Sequence, residues 1–340
     1  MPSRIEPLSQ VPADWVVDYF RRQQVPEALV RWKFLAPGPP SRGRERGIAW
    51  IRDDRVQGFL GLVPCRLGRG DERFDMTWTC DWSLAERANA PGVGVRMLQR
   101  ALAADEPVLS VTRGSDFTAS IAPRVGHHTI EDAARTFVVP LRAASLLERL
   151  PGPASALARA PLVGRAPLPA ARTSARRTRV EAGVAHALDA LLAAPRGPGW
   201  FPAYDTSYLD WVVGRCPVLE CASILAPDDG APRAAALLWR RRESAARWRL
   251  ALFAAPDECG PDGLARAVLA RAAREARRRG GSLLSLLLSR LDDDLASAVR
   301  GGLRAFEREP QPLYVLVSRS PDVDELGRLS YLDADLQYLF

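Results

Sequence analysis

Lysine is almost missing from this chain. Of its 47 basic residues only Lys33 is a lysine, and the rest are arginine, against 40 acidic residues and a formal net charge of +7. A positive balance can attract a polyanion. The arginines are not gathered into a stripe interleaved with aromatics, which argues against a nucleic-acid partner. Arginine in place of lysine, with abundant alanine, proline and glycine, reads instead as the codon bias of a GC-rich bacterium. Cysteine is scarce and odd in number: Cys65, Cys80, Cys216, Cys221 and Cys259 are scattered with no C-x-x-C pair, so no zinc site of that type is expected. No apolar run approaches the roughly 18 residues of a membrane span. "GSLLSLLLSRL" from Gly281 is too short and reads as a buried strand. The opening "MPSRIEPLSQVPADW" lacks the apolar core of a signal peptide. These absences point to a reduced, cytoplasmic protein.

What is present is a long, well-patterned chain. Its 340 residues, 47% hydrophobic with nine tryptophans, suggest two domains. The stretch 151–178, "PGPASALARAPLVGRAPLPAARTSARRT", is rich in proline, alanine and arginine with weak periodicity, and reads as a linker between halves 1–150 and 179–340. In the first half, "PADWVVDYFRRQ" places Trp15, Val16, Tyr19 and Phe20 on one helical face, and "PEALVRWKFL" opens a second helix on proline. Three strand runs follow: "GIAWIRDD", "RVQGFLGLVPCRL" and "ERFDMTWTCDWSL". Then come a helix from "PGVGVRMLQRAL", a strand "PVLSVTR", a helix "SDFTASIAPRVG" and a strand "DAARTFVVPL". The second half has a similar order, with a long helix in "GLARAVLARAAREARRR" and strands in "GSLLSLLL" and "PLYVLVS". The fold class is therefore α/β (α+β), with a mixed, mostly antiparallel sheet flanked by helices in each half, and the repeated order suggests duplication of one unit.

The turn "NAPGVG" ahead of the third helix carries the chemistry. Unpaired N–H groups at a helix N-terminus attract anions, and glycines let the backbone approach a phosphate closely. A strand-breaking turn reads equally well from these residues alone. In its order of elements the half resembles the GCN5-related N-acetyltransferase (GNAT) family, whose signature [Q/R]-x-x-G-x-[G/A] falls on Asn89, Ala90, Pro91, Gly92, Val93 and Gly94. Asn89 departs from the family's Gln or Arg, and Pro91 removes one N–H. The resemblance implies a coenzyme A diphosphate at Asn89, Ala90, Gly92, Val93 and Gly94, with Arg87 and Arg96 as further phosphate partners. It also implies a pantetheine arm along the strand edge at Trp82, Ser83 and Leu84, where a backbone N–H can hold an oxyanion. The cofactor is then acetyl-CoA or another acyl-CoA, and the acceptor an amine on a small molecule or peptide.

Acyl transfer to an amine also needs a base. Asp81 beside the presumed acyl site and His127 beyond the fourth helix are the candidates, with His128 next to it; the histidines are expected to titrate near neutrality. The tyrosine that acts as acid in many family members falls on Ala122, four residues before Gly126. In the second half the corresponding turn, "APDECGPDGL", loses the G-x-G spacing and carries Asp257, Glu258 and Asp262, which disfavours an anion there. That half is expected to be a degenerate GNAT-like domain serving structure or acceptor binding. The expected function is a direct acyl-CoA-dependent N-acyltransferase. Open beside it are a non-catalytic module with a vestigial cleft and an aminoacyl transferase of the Fem type. Asp333 and Asp335, in the terminal "SYLDADLQYLF", either dock an apolar face or reach a cationic acceptor. Oligomeric state is left open.

Overall fold

The computed structural model describes residues 3–36, 44–85, 91–104, 107–112, 122–143, 177–193, 200–243, 246–308 and 311–317. Residues 151–176 of the expected linker, Asn89, Ala90, Arg87, Asp333 and Asp335 lie outside these. The strands in chain order are β1 (Arg4–Pro7), β2 (Gly47–Arg52), β3 (Arg55–Arg69), β4 (Glu72–Leu84), β5 (Val108–Thr112), β6 (His128–Pro140), β7 (Arg179–Ala182), β8 (Trp200–Pro202), β9 (Leu219–Ala226), β10 (Ala234–Arg241), β11 (Arg247–Ala254), β12 (Leu283–Ser289), β13 (Phe306–Glu307) and β14 (Gln311–Val317). The helices are α1 (Ala13–Arg22), α2 (Glu27–Val30), α3 (Val93–Leu102), α4 (Asp189–Ala193), α5 (Thr206–Leu209), α6 (Leu264–Arg278) and α7 (Asp293–Gly302).

Each half builds the same mixed sheet. Strands β1 to β4 form an antiparallel meander, and β5, reached through α3, pairs parallel to β4. Strands β7, β9, β10 and β11 repeat the meander, and β12, reached through α6, pairs parallel to β11. The repeat extends to a helical detail. Both α2 and α5 run on into a π-helical turn, Arg31–Leu35 and Asp210–Gly214. Their sixth positions are Trp32 and Trp211, and these two indoles stack with centroids 4.9 Å apart.

The halves are joined by exchanged strands. The "PLYVLVS" strand expected to close the second half leaves it: as β14 it inserts between β5 and β6, antiparallel to both. Strand β6 in turn passes from β14 to β12 and β13 along its length. The result is one continuous path, β1-β2-β3-β4-β5-β14-β6-β12-β11-β10-β9-β7. The physical reason is the length of β6. Thirteen residues extend about 43 Å at 3.3 Å each, enough to span two sheets.

Burial alternates along the strands as a two-faced sheet requires. On β10, Ala235, Leu237 and Trp239 join one core, while Ala234, Ala236 and Leu238 join another under α6 and α7. On β2, Ala49 and Ile51 face α1 and α2, whereas Ile48 and Trp50 face α3. The α1–α2 face of the first half and the Trp239 face of the second form one cluster. Within it Phe59 is enclosed by Tyr19, Phe20 and Phe34 at centroid distances of 6.5, 4.9 and 4.8 Å. Strand β6 serves both sides of the join, with Ile130 in the shared core and Phe137 and Val139 in the α6 core.

That double duty makes unfolding of the two halves one event. Ile130→Ala and Phe137→Ala should each cost about 2–5 kcal/mol, and each should shift a single urea transition followed by near-UV circular dichroism. Separate transitions, one moved by each variant, would contradict the shared strand.

Candidate functional site

The two parallel pairs open like forks. Strands β4 and β5 pair only from Thr77–Val108 to Thr79–Ser110. Beyond that β4 continues to Leu84 while Val111 and Thr112 turn their hydrogen bonds to β14. Strands β11 and β12 likewise part after Leu250–Leu286. The forks differ in what fills them. In the second, Leu252, Phe253, Leu287 and Leu288 are all buried. In the first, Asp81, Trp82, Ser83 and Leu84 are each part-exposed.

The helix ends behind the forks differ in the same sense. Gly92 precedes α3 in the left-handed region (φ 75°), with no side-chain cap, and a Cβ added there meets nothing within 4 Å. Among the described residues, no side chain caps the first N–H groups of α3, from Val93 and Gly94. Gly94 has a packing reason of its own: the Trp82 indole Nε1 lies 3.0 Å from where its Cβ would be. At α6 the chain supplies its own anion. Buried Glu258 accepts from the Leu264 N–H at 2.9 Å through Oε2, and its Oε1 lies 2.8 Å from Arg233 Nη2. A Cβ on Gly263 would meet the Glu258 carbonyl oxygen at 2.0 Å, so this end is closed.

A bulge shapes the first fork. Between Phe59–Ser83 and Gly61–Cys80, Asp81 and Trp82 together oppose Leu60, and Asp81 takes a positive φ of 48°. A non-glycine residue in that region is uncommon. The bulge turns Asp81 toward the π-helical turn after α2, where its carboxylate, 5% exposed, pairs with Lys33 Nζ, fully buried. Burial pushes the Asp81 carboxyl up and the Lys33 ammonium opposes it. Two residues on, Ser83 Oγ is 2.9 Å from Tyr19 Oη, tying the fork to α1. Cys80 is buried among these groups, and desolvation holds its thiol well above the ordinary value, which disfavours the thiolate.

His127 lies on the other side of the strand pair. Its Nε2 is 2.9 Å from Ser110 Oγ, on the last paired residue of β5, and its Nδ1 is buried without a partner. The residue is 5% exposed. Burial, outweighing the bond to Ala122, pulls its pKa to about 4 from 6.5, so at neutral pH the ring is uncharged rather than titrating. His128 is exposed. Ala122 is buried and its carbonyl accepts from the His127 N–H at 3.0 Å. Asp81 and His127 are therefore held at one fork by different partners, Lys33 and Ser110. The pattern had no place for these partners, although the chain's single lysine was a usable signal. Among the described residues no group of three His, Cys, Asp or Glu side chains could hold a metal. No described helix is long and apolar enough to cross a membrane.

No family model matches the chain, and no curated protein matches it in sequence. Solved structures do match in shape. A GCN5-related N-acetyltransferase from Anabaena variabilis ATCC 29413 is 13% identical with a TM-score of 0.56, covering 92% of this chain and 72% of its own. A conserved protein of Enterococcus faecalis V583 is 9% identical at the same TM-score, covering 94% and 73%. Saccharomyces cerevisiae N-myristoyltransferase with bound myristoyl-CoA is 11% identical, again at 0.56, covering 95% and 81%. At such identities the likeness establishes the fold: this chain carries two tandem GNAT-like domains.

Two expectations follow. Lys33→Met strands a buried carboxylate and should cost about 3–5 kcal/mol by urea denaturation, part of which Lys33→Met/Asp81→Asn restores; equal losses in both would remove the pairing as the cause. The depressed His127 pKa means the unfolded chain takes up that proton first. Its contribution is fully present above pH 6.5 and is lost as pH falls toward 4. Between pH 7.5 and 5 the loss should be about 2 kcal/mol, absent in His127→Gln.

Proposed function

We propose that the chain is an acyl-CoA-dependent N-acyltransferase that takes its cofactor, acetyl-CoA or a longer acyl-CoA, at the fork of the first half. The observation that carries this is the contrast between two equivalent helix ends: α3 follows an open left-handed glycine with no capping side chain among the described residues, while α6 is sealed by Glu258. The diphosphate would sit on the N–H groups of Val93 and Gly94, beside Gly92, Asn89 and Ala90. The pantetheine would run along the exposed β4 edge at Trp82, Ser83 and Leu84. When bound, the cofactor supplies an activated thioester. The domains are 1–150, with the acyl-CoA site, and 179–340, with 151–178 between them. The location we propose is cytoplasmic, in keeping with five free thiols.

In this reading the acceptor is an amine on a small molecule or peptide, approaching from the α1–α2 face. Asp81 takes the proton that the attacking nitrogen releases, and Lys33 holds that carboxylate in place. A backbone N–H of the Trp82–Leu84 edge stabilises the oxyanion. Ser110, oriented by His127, offers a hydrogen bond to the departing thiolate, which takes its proton from water. One observation favours a second, binding-only reading: Lys33 already neutralises Asp81. In that case acyl-CoA binds without turnover.

Calorimetry with acetyl-CoA tests the site. Heat of binding is expected for the native chain and for Glu258→Gln. Gly92→Glu, which copies the closed end of α6, should weaken binding about tenfold or more, equivalent to 1.4 kcal/mol. No heat in the native chain, or unchanged affinity in Gly92→Glu, removes the site.

A further inference from the structure

On the α1–α2 face, next to the Lys33–Asp81 pair, lies a concentration of unsatisfied donors. Arg46 leads into β2 and is 7% exposed. Its Nη2 donates to the Lys33 carbonyl, while its Nε and Nη1 are buried with no partner. Lys33 and Asp81 satisfy each other, so among the described residues the Arg46 charge has no carboxylate opposite it. The guanidinium lies 5.1 Å over the Trp211 ring. Trp211 stacks on Trp32, Tyr208 lies 5.9 Å from Trp211, and Tyr208 stacks on Tyr204 at 5.8 Å. Trp32 Nε1 and Tyr204 Oη are also buried and unpartnered.

Buried polar atoms are nearly always hydrogen-bonded, and an unpaired buried charge is the most costly exception. Here three side chains of one ring cluster hold unused donors beside a positive charge that no carboxylate of the described residues pairs. The chemistry that answers them is a group that only accepts hydrogen bonds and carries one negative charge, a carboxylate. The four rings, Trp32 from the α2 region and Tyr204, Tyr208 and Trp211 from the α5 region, form an apolar wall beside it. Tetrahedral dianions are a poorer match, because a single arginine faces them.

We propose that Arg46 binds the carboxylate of the acceptor, and that the acceptor is an amino acid or similar amino-carboxylate with a flat apolar side chain lying against Tyr204, Tyr208, Trp211 and Trp32. Lys33 joins the two ends of this arrangement: its carbonyl receives Arg46 and its ammonium holds Asp81. Arg46 and Asp81 are thus placed at the two ends of one lysine residue. The assignment of the amine rests on the acyl-transfer reading, whereas the carboxylate site does not.

The test uses the full chain and three matched probes: L-phenylalanine, 3-phenylpropanoate without the amine, and 2-phenylethylamine without the carboxylate. By thermal shift and calorimetry the two carboxylates should bind and 2-phenylethylamine should not. In Arg46→Met carboxylate affinity should fall about 30-fold or more, the range of a lost hydrogen bond to a charged group. Acetyl-CoA affinity should be unchanged. Should Arg46→Met not fold, Arg46→Lys, which keeps the charge but loses the fork, reads the same loss in smaller degree. Equal binding of phenylalanine and phenylethylamine, retention of carboxylate binding by these variants, or no binding of any probe at about 10 mM overturns the proposal. Carboxylate binding that depends on Arg46, in a chain that fails to bind acetyl-CoA, supports the Arg46 site and removes the acyl-transfer reading instead.

Discussion

Everything in this molecule depends on the seating of β14 between β5 and β6. A parallel strand pair that separates after three residues leaves backbone groups without partners, and unpaired backbone is costly wherever water is excluded. Strand β14 takes up those of Val111 and Thr112 on one side. The β4 edge is then the one left open, and its exposure at Asp81–Leu84 becomes a place for a ligand instead of a defect. The same strand brings Leu316 to the α3 core, so the second half of the chain helps to hold the helix whose N-terminus is the proposed anion site.

The chain has two forks and two helix ends, and each half settles its polar groups differently. The second fills its fork with leucine and phenylalanine and closes its helix with Glu258. The first keeps Gly92 open and places charge beneath the fork. A lysine is suited to that position: a compact ammonium on an apolar stem can be fully enclosed when one carboxylate meets it. In the second copy the equivalent of Lys33 is Val212, also buried, and no charge needs to be met there. Loss of the ion pair and closure of the helix end thus occur together.

Much of this was legible in the residues. Alternation in "GIAWIRDD" and "RVQGFLGLVPCRL" marks strands because the pleat imposes a period of two, and of the three acids in "APDECGPDGL" one, Glu258, occupies the helix end itself. Other features follow from partners that no local pattern encodes. Arg4–Pro7 is too short and too polar to read as a strand, yet it pairs with β2. "PLYVLVS" announces a strand but not its neighbours, so its crossing into the other half was invisible. His127, beside a glycine, has the local signature of an exposed loop, and its burial against Ser110 of β5 reverses it. Arg46 is one arginine among many, and only the packed structure shows that its donors are unanswered.

Strand β6 carries one further implication, for how the chain can be divided or lengthened. Its first residues are read by one core and its last by another, so inserting a single residue within it would turn one set of side chains to the wrong face whichever end kept its register. The gene for such a protein cannot be cut into two independent domain cassettes, because each fragment would lack an interior strand that the other holds. Two fragments divided between the halves would have to find each other and fold together, each completing the other's sheet, which makes this architecture a natural candidate for fragment complementation.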